Sequence, residues 1–107
     1  MHELVQEDLR QRYPSHSATW DLVEALSKRL QLGIERYGEP LRAHNGRDAS
    51  QDLVEELLDA SVYAMQCYVE AMDDGRLEVA GNWESIYNSL VIVLLDTARV
   101  RAGWQIL

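Results

Sequence analysis

What most constrains this chain is how seldom anything interrupts it. Proline occurs only at Pro14 and Pro40, and five of the six glycines fall within two windows, Gly33 to Gly46 and Gly75 to Gly81. The stretches between these breakers read as helices. A short first helix covers Glu3 to Arg12 and ends ahead of Pro14, because the residue preceding a proline is pushed out of the helical region. A second begins near Ser17 or Thr19, either of which can accept a backbone N–H as a cap, with Asp21 favourably placed in its first turn. Along it Trp20, Val23, Leu26, Leu30, Ile34 and Tyr37 recur at three- and four-residue steps, one apolar stripe at helical period. Gly38 and Pro40 stop it, and a polar loop from Gly38 to Arg47 follows, with the turn dipeptide Asn45-Gly46 inside it.

Asp48 and Gln51 have the spacing of a capping box, which predicts a third helix from Ala49 to Met72, about 36 Å long, ended by Asp73-Asp74-Gly75. After a loop from Gly75 to Gly81, Asn82 is placed to cap a fourth helix running through Trp83, Ile86, Leu90 and Leu94 to about Ala102. Val91-Ile92-Val93 is β-branched, yet a single short strand would find no partner elsewhere, so the segment stays helical. The expected fold is all-α: an antiparallel four-helix bundle, one domain over residues 1–107, completed by oligomerisation.

Composition narrows the function. In 107 residues there are 18 acidic and 10 basic side chains, a formal charge of −8, while 47% of residues are apolar. Such a chain can bury a core, and it lacks the basic face on which polymeric nucleic acid is held. Any phosphate it handles is expected to arrive with a metal. The single Cys67 allows no internal disulfide and no paired-thiolate zinc site. The first twenty residues hold no apolar run suited to a signal peptide, and Leu90 to Leu95 is far short of the roughly 20 residues that span a bilayer. A soluble cytoplasmic protein without membrane partners is expected.

The most informative residues are Asp52, Glu55, Glu56 and Asp59. Offsets of 0, 3, 4 and 7 put all four carboxylates on one helical face within two turns. Like charges at these spacings cost a few tenths of a kcal/mol per pair. A hard divalent cation offsets that cost directly, since Mg²⁺ takes one or two carboxylates and keeps waters that a phosphate can displace. From Leu57 to Met72 the helix is apolar nearly all round, which predicts packing partners on every side and burial of Asp59. The bland alternative is a solvated acidic face, with Glu55 its foremost member.

Other signals carry less. His2, His16 and His44 form no ligand set, and no Glu-x-x-His exists for a ferritin-like di-iron site. Asp73-Asp74-Gly75 with Glu84 resembles a calcium loop, but Glu78 stands where the sharp turn needs glycine. Trp20, Trp83, Trp104, Tyr37, Tyr63 and Tyr68 could stack on a base, although aromatic residues at helical spacing are usually core. Cys67 reads as a small buried apolar residue. Asp96, inside an apolar helix, is a further candidate near a site or interface.

From Leu26 to Val69 the chain resembles the MazG-like family of all-α nucleoside triphosphate pyrophosphohydrolases, particularly the short single-domain forms of phages and mobile elements. Three segments carry the likeness: Arg36-Tyr37-Gly38 at the end of the second helix, the loop Asn45-Gly46-Arg47-Asp48, and the run from Asp52 to Ala60. The run contains Glu56-x-x-Asp59, similar to the E-x-x-D half of the family's metal motif. The upstream E-x-x-E half is missing: Gln31 and Glu35, four apart, stand in its place. The resemblance implies a four-helix arrangement, dimeric or a dimer of dimers, holding Mg²⁺ while water attacks the α-phosphoryl group of a nucleotide to give a nucleoside monophosphate and pyrophosphate.

On that reading Glu56 and Asp59 are metal ligands, with Glu35, Asp52 and Glu55 as further ligands. Glu56, Glu35 or Asp52 would orient or deprotonate the attacking water. Arg47, Lys28 and Arg36 would meet phosphate oxygens, against a plainer role in solvated ion pairs. The competing reading is a catalytically silent bundle of the same fold that binds nucleotide or a protein partner, and a third is an assembly protein whose apolar stripes only make a dimer.

Overall fold

The computed structural model describes residues 1–103, and all regular structure among them is helical. Four helices follow one another: α1 (His2–Arg12), α2 (Thr19–Tyr37), α3 (Ala49–Asp73) and α4 (Leu77–Arg101). Val91-Ile92-Val93 lies inside α4, as the lack of a strand partner requires. No helix among the described residues is long and apolar enough to cross a membrane. The chain divides into two compact units, Met1–Arg47 and the residues from Asp48 onward, each a pair of helices.

In the first unit α1 folds back along α2, and polar groups tie the two together. Buried Gln6 donates from Nε2 to the Val23 carbonyl at 2.8 Å and to Ser27 Oγ at 2.7 Å. The Met1 amino group donates to the Leu41 carbonyl at 3.3 Å. Thr19 does not cap α2. Ala18 occupies that position, and the Thr19 hydroxyl, 1% exposed, donates instead to the Tyr13 carbonyl at 2.5 Å, closing the bend that Pro14 forces. Gly38 ends α2 at φ 80°, its N–H bonded to the Ile34 carbonyl at 2.7 Å, the left-handed cap that only glycine adopts without strain. Of the α2 stripe, Val23 is buried and Leu26, Leu30 and Ile34 are half-buried. Its ends are not core: Trp20 is 60% exposed and Tyr37 69%.

The second unit is an antiparallel hairpin of two 25-residue helices. At its open end the Asp48 carboxylate accepts from the Gln51 backbone N–H at 3.1 Å, capping α3, and also receives Arg101 from the last turn of α4 at 3.2 Å. Only this half of the expected capping box forms, because the Gln51 side chain turns forward to Glu55 Oε1 at 3.1 Å. At the closed end Gly75, at φ 72°, donates to the Met72 carbonyl, and Arg76 N–H bonds the Ala71 carbonyl at 2.9 Å. These two bonds are a Schellman motif, and they reverse the chain within Asp74, Gly75 and Arg76.

The fourth helix therefore starts earlier than its sequence suggests. Leu77 to Gly81 is its first turn and not a loop, Glu78 supplies the acidic first-turn charge, and Asn82 caps nothing. Gly81 inside a helix costs about 1 kcal/mol relative to alanine. Wholly buried Ala80 beside it shows what that turn packs.

Leu57, Ala60, Ala64, Cys67 and Ala71 form the covered side of α3, a small-residue seam at steps of three and four, with Ala71 entirely excluded from solvent. From α4 the larger Trp83, Tyr87, Leu90 and Leu94 are half-buried at the same steps. Small residues on one helix let large ones on the other interdigitate.

Candidate functional site

The acidic face rests on the first half of α3, fixed in place by the Asp48 cap. α4 covers the side of α3 that carries Ala60, Ala64 and Ala71. At 100° per residue Asp59 points more than a quarter-turn away from that side and Asp52 about a quarter-turn, whereas Glu56, one turn before Ala60, stands on its border. This corrects the expectation of burial around Asp59: Glu55, Glu56 and Asp59 are exposed, and Asp52 is half-buried. One helical neighbour cannot enclose a helix that is apolar nearly all round, so large side chains are exposed as well, including Leu58, Val62, Tyr63, Met65, Val69 and Met72.

Glu55 accepts the Gln51 side chain, as a solvated member of the face would. Glu56 and Asp59 have no hydrogen-bond or ion-pair partner among the described residues. They sit one turn apart on the same side of α3, hard oxygen donors of the kind Mg²⁺ takes in ones and twos. Among the described residues no three His, Cys, Asp or Glu side chains gather closely enough to hold a metal by themselves. The donor set thus suits a metal held by one or two carboxylates and otherwise by water or phosphate.

The other candidates lie in the first unit. Glu35, near the end of α2, accepts from Gln31 Nε2 at 3.3 Å. Lys28 pairs with Glu24 at 3.5 Å, an exposed i,i+4 contact, and not with Glu35. Arg36 is exposed on the last turn of α2. Arg47 follows the turn at His44-Asn45-Gly46, where His44 takes φ 56°, Gly46 takes φ 85° and Asn45 Oδ1 accepts the Arg47 N–H at 3.0 Å. Asp96 pairs with Arg99 at 3.8 Å within α4. Trp104 lies outside the described residues.

Two features were not singled out from sequence. One is the placement of charge. Residues 1–47 contain seven acidic and seven basic side chains, and residues 48–107 contain eleven and three, so the whole formal −8 belongs to the second unit. α3 has no Lys, Arg or His at all, and between Arg76 and Arg99 neither has α4. Segmental counting would have found this. The other is a groove of about 280 Å³ between α3 and α4, lined by Met65, Tyr68, Glu84, Tyr87 and Asn88. Spacing within one helix does not reveal it, because it depends on the register of two.

The Asp48 carboxyl is held in its charged form by its neighbours. The Ser50 hydroxyl, then the Gln51 N–H, then Arg101 stabilise its charged form and hold the carboxyl below its ordinary range. No protein-family model matches the chain, and no curated protein and no solved structure matches it either.

Proposed function

We propose that the protein is a Mg²⁺-dependent nucleoside triphosphate pyrophosphohydrolase of MazG-like character, releasing a nucleoside monophosphate and pyrophosphate. The observation that carries the reading is the pair Glu56 and Asp59, two carboxylates without partners among the described residues, on a helix that has no cation of its own. Like charges one turn apart cost a few tenths of a kcal/mol, which a bound cation would relieve. Glu56 and Asp59 are assigned as ligands, with Asp52 as a further ligand or as the group that orients the attacking water; Glu35 enters only through the family resemblance. Bound Mg²⁺ would neutralise phosphate charge and fix the α-phosphoryl group. The family resemblance would give Arg36, Arg47 and Lys28 to phosphate oxygens.

A homodimer or dimer of dimers belongs to the same proposal. Leu58, Val62, Met65, Val69 and Met72 follow one another at steps of four, three, four and three along α3, the repeat of a helix-packing seam, and all are exposed in the single chain. Pyrophosphate release from a panel of canonical and modified nucleotides with Mg²⁺ tests the reading. Turnover on at least one nucleotide, lost in Glu56→Gln, is the expected result, and no release from any of them overturns it. One observation favours a second reading, a silent bundle that binds nucleotide without turning it over: no three ligand side chains converge among the described residues. Calorimetric binding of nucleotide with Mg²⁺ in the absence of turnover selects that alternative.

A further inference from the structure

We propose that the groove between α3 and α4 is a binding site for an organic cation, an alkylammonium or guanidinium head group. It lies on the hairpin away from the acidic face: on α3, Met65 and Tyr68 project roughly opposite to Asp52 and Asp59. Its lining is chemically specific. Tyr68 and Tyr87, both half-buried, line it from the two helices with their aromatic rings, Met65 adds a polarisable thioether, Asn88 a polar amide and Glu84 a full negative charge. Aromatic faces with one carboxylate are the recurring receptor for a quaternary or primary ammonium.

Among the described residues Glu84 has no claimant. Its helical neighbours three and four residues away are Ala80, Gly81, Tyr87 and Asn88, none of them cationic, and it makes no hydrogen bond or ion pair among the described residues. The facing helix has no base to offer, and the whole hairpin unit holds the chain's net −8. An anion would meet this field at a disadvantage, and a neutral ligand would leave the Glu84 carboxylate unmatched. At about 280 Å³ the groove has room for a small head group. The cation reaches it either as a free amine or as a basic side chain of a second copy of this chain.

The test is a titration of the full chain with choline at constant ionic strength, followed by backbone amide chemical shifts. Its control is the uncharged isostere in which carbon replaces the quaternary nitrogen. Saturable shifts confined to the neighbourhood of Met65, Tyr68, Glu84, Tyr87 and Asn88, absent with the isostere and weakened about fivefold in Glu84→Gln, are expected. Equal shifts from the isostere, or non-saturating shifts spread over the acidic surface as for any counter-ion, overturn the site. Glu84 is exposed, so Glu84→Gln should fold normally; Tyr87→Leu, which removes one aromatic ring and keeps an apolar side chain, should weaken choline by a similar factor. Sedimentation of Glu84→Gln identifies the source: dissociation of an oligomer assigns the occupant to a second copy, and an unchanged mass assigns it to a free amine.

Discussion

The two units of this chain reach a helix pair by different means. Residues 1–47 are neutral in sum and held by specific polar bonds: Gln6 across to Val23 and Ser27, Thr19 back to Tyr13, Met1 to Leu41. The residues from Asp48 onward carry the entire net charge, yet their helices meet through an uncharged seam of alanines against larger side chains, with one ionic clasp at the end where Arg101 reaches Asp48 and Ser50. Directional bonds allow a short helix such as α1, only 11 residues long, to be fixed with few apolar contacts. A long hairpin with a close-packed seam can instead leave its remaining faces to like charge, because the repulsion acts on surfaces that α4 does not cover.

If that contrast is right, the second unit should be the more sensitive to volume. Ala71 is fully enclosed, so Ala71→Leu forces a larger side chain into a closed seam and should cost about 3 kcal/mol, seen as a large drop in the thermal midpoint followed by circular dichroism. Val100→Leu, at a position 56% exposed and off both seams, should move the midpoint hardly at all. Equal effects from the two would dissolve the distinction between seam and surface.

The acidic surface should respond to metal and the neutral unit should not. With Mg²⁺ at ten times its dissociation constant, binding to the folded state adds about 1.4 kcal/mol. The rise in midpoint should vanish in Glu56→Gln and in Asp59→Asn and survive in Glu24→Gln. A midpoint indifferent to millimolar Mg²⁺ removes the metal reading of this face. In the first unit the matching experiment is on polarity: Gln6→Leu keeps the bulk and loses the donors to Val23 and Ser27, which should cost about 1 kcal/mol. Because Ser27 Oγ also reaches the Val23 carbonyl, at 3.3 Å, that oxygen keeps a partner, and a penalty several times larger would mean that Gln6 does more than bridge the helices.

Much of this fold is legible in single residues, and the exceptions share a cause. Asp48 caps α3, Gly38 ends α2 and Asp74-Gly75 ends α3 where their chemistry predicts, because caps and left-handed glycines are local. Thr19 and Asn82 have equally good capping chemistry and cap nothing. Thr19 is claimed by the Tyr13 carbonyl across the bend, and the Schellman turn at Gly75 is compact enough to start α4 five residues before Asn82. Burial was the least legible property. An apolar run from Leu57 to Met72 predicts neighbours on every side, but periodicity counts the faces a helix could bury and not the helices available to cover them. The shared face of Asp52, Glu56 and Asp59 follows from spacing alone; the groove between Tyr68 and Tyr87 does not, because it exists only once two helices are in register.

The subtlest prediction concerns the clasp. Asp48 is ionised more readily in the folded chain than in the unfolded one, since Ser50, the Gln51 N–H and Arg101 all favour its carboxylate. A carboxyl whose folded pKa is depressed contributes stability that is fully present above its unfolded value, near 3.8, and is lost as pH falls through the lower folded value. Comparing acid unfolding of the parent with Asp48→Asn isolates this part. Asparagine keeps a capping oxygen for Gln51 but cannot titrate or attract Arg101 by charge. The variant should therefore be less stable near neutral pH, and its deficit should close as the pH is taken below the ordinary carboxylate range. Arg101→Gln should narrow the same window without abolishing it, because hydrogen bonds within the first turn of α3 also hold the charge. A deficit that stays constant with pH would mean that the clasp acts through shape alone, leaving the charge of the second unit irrelevant to how its helices close.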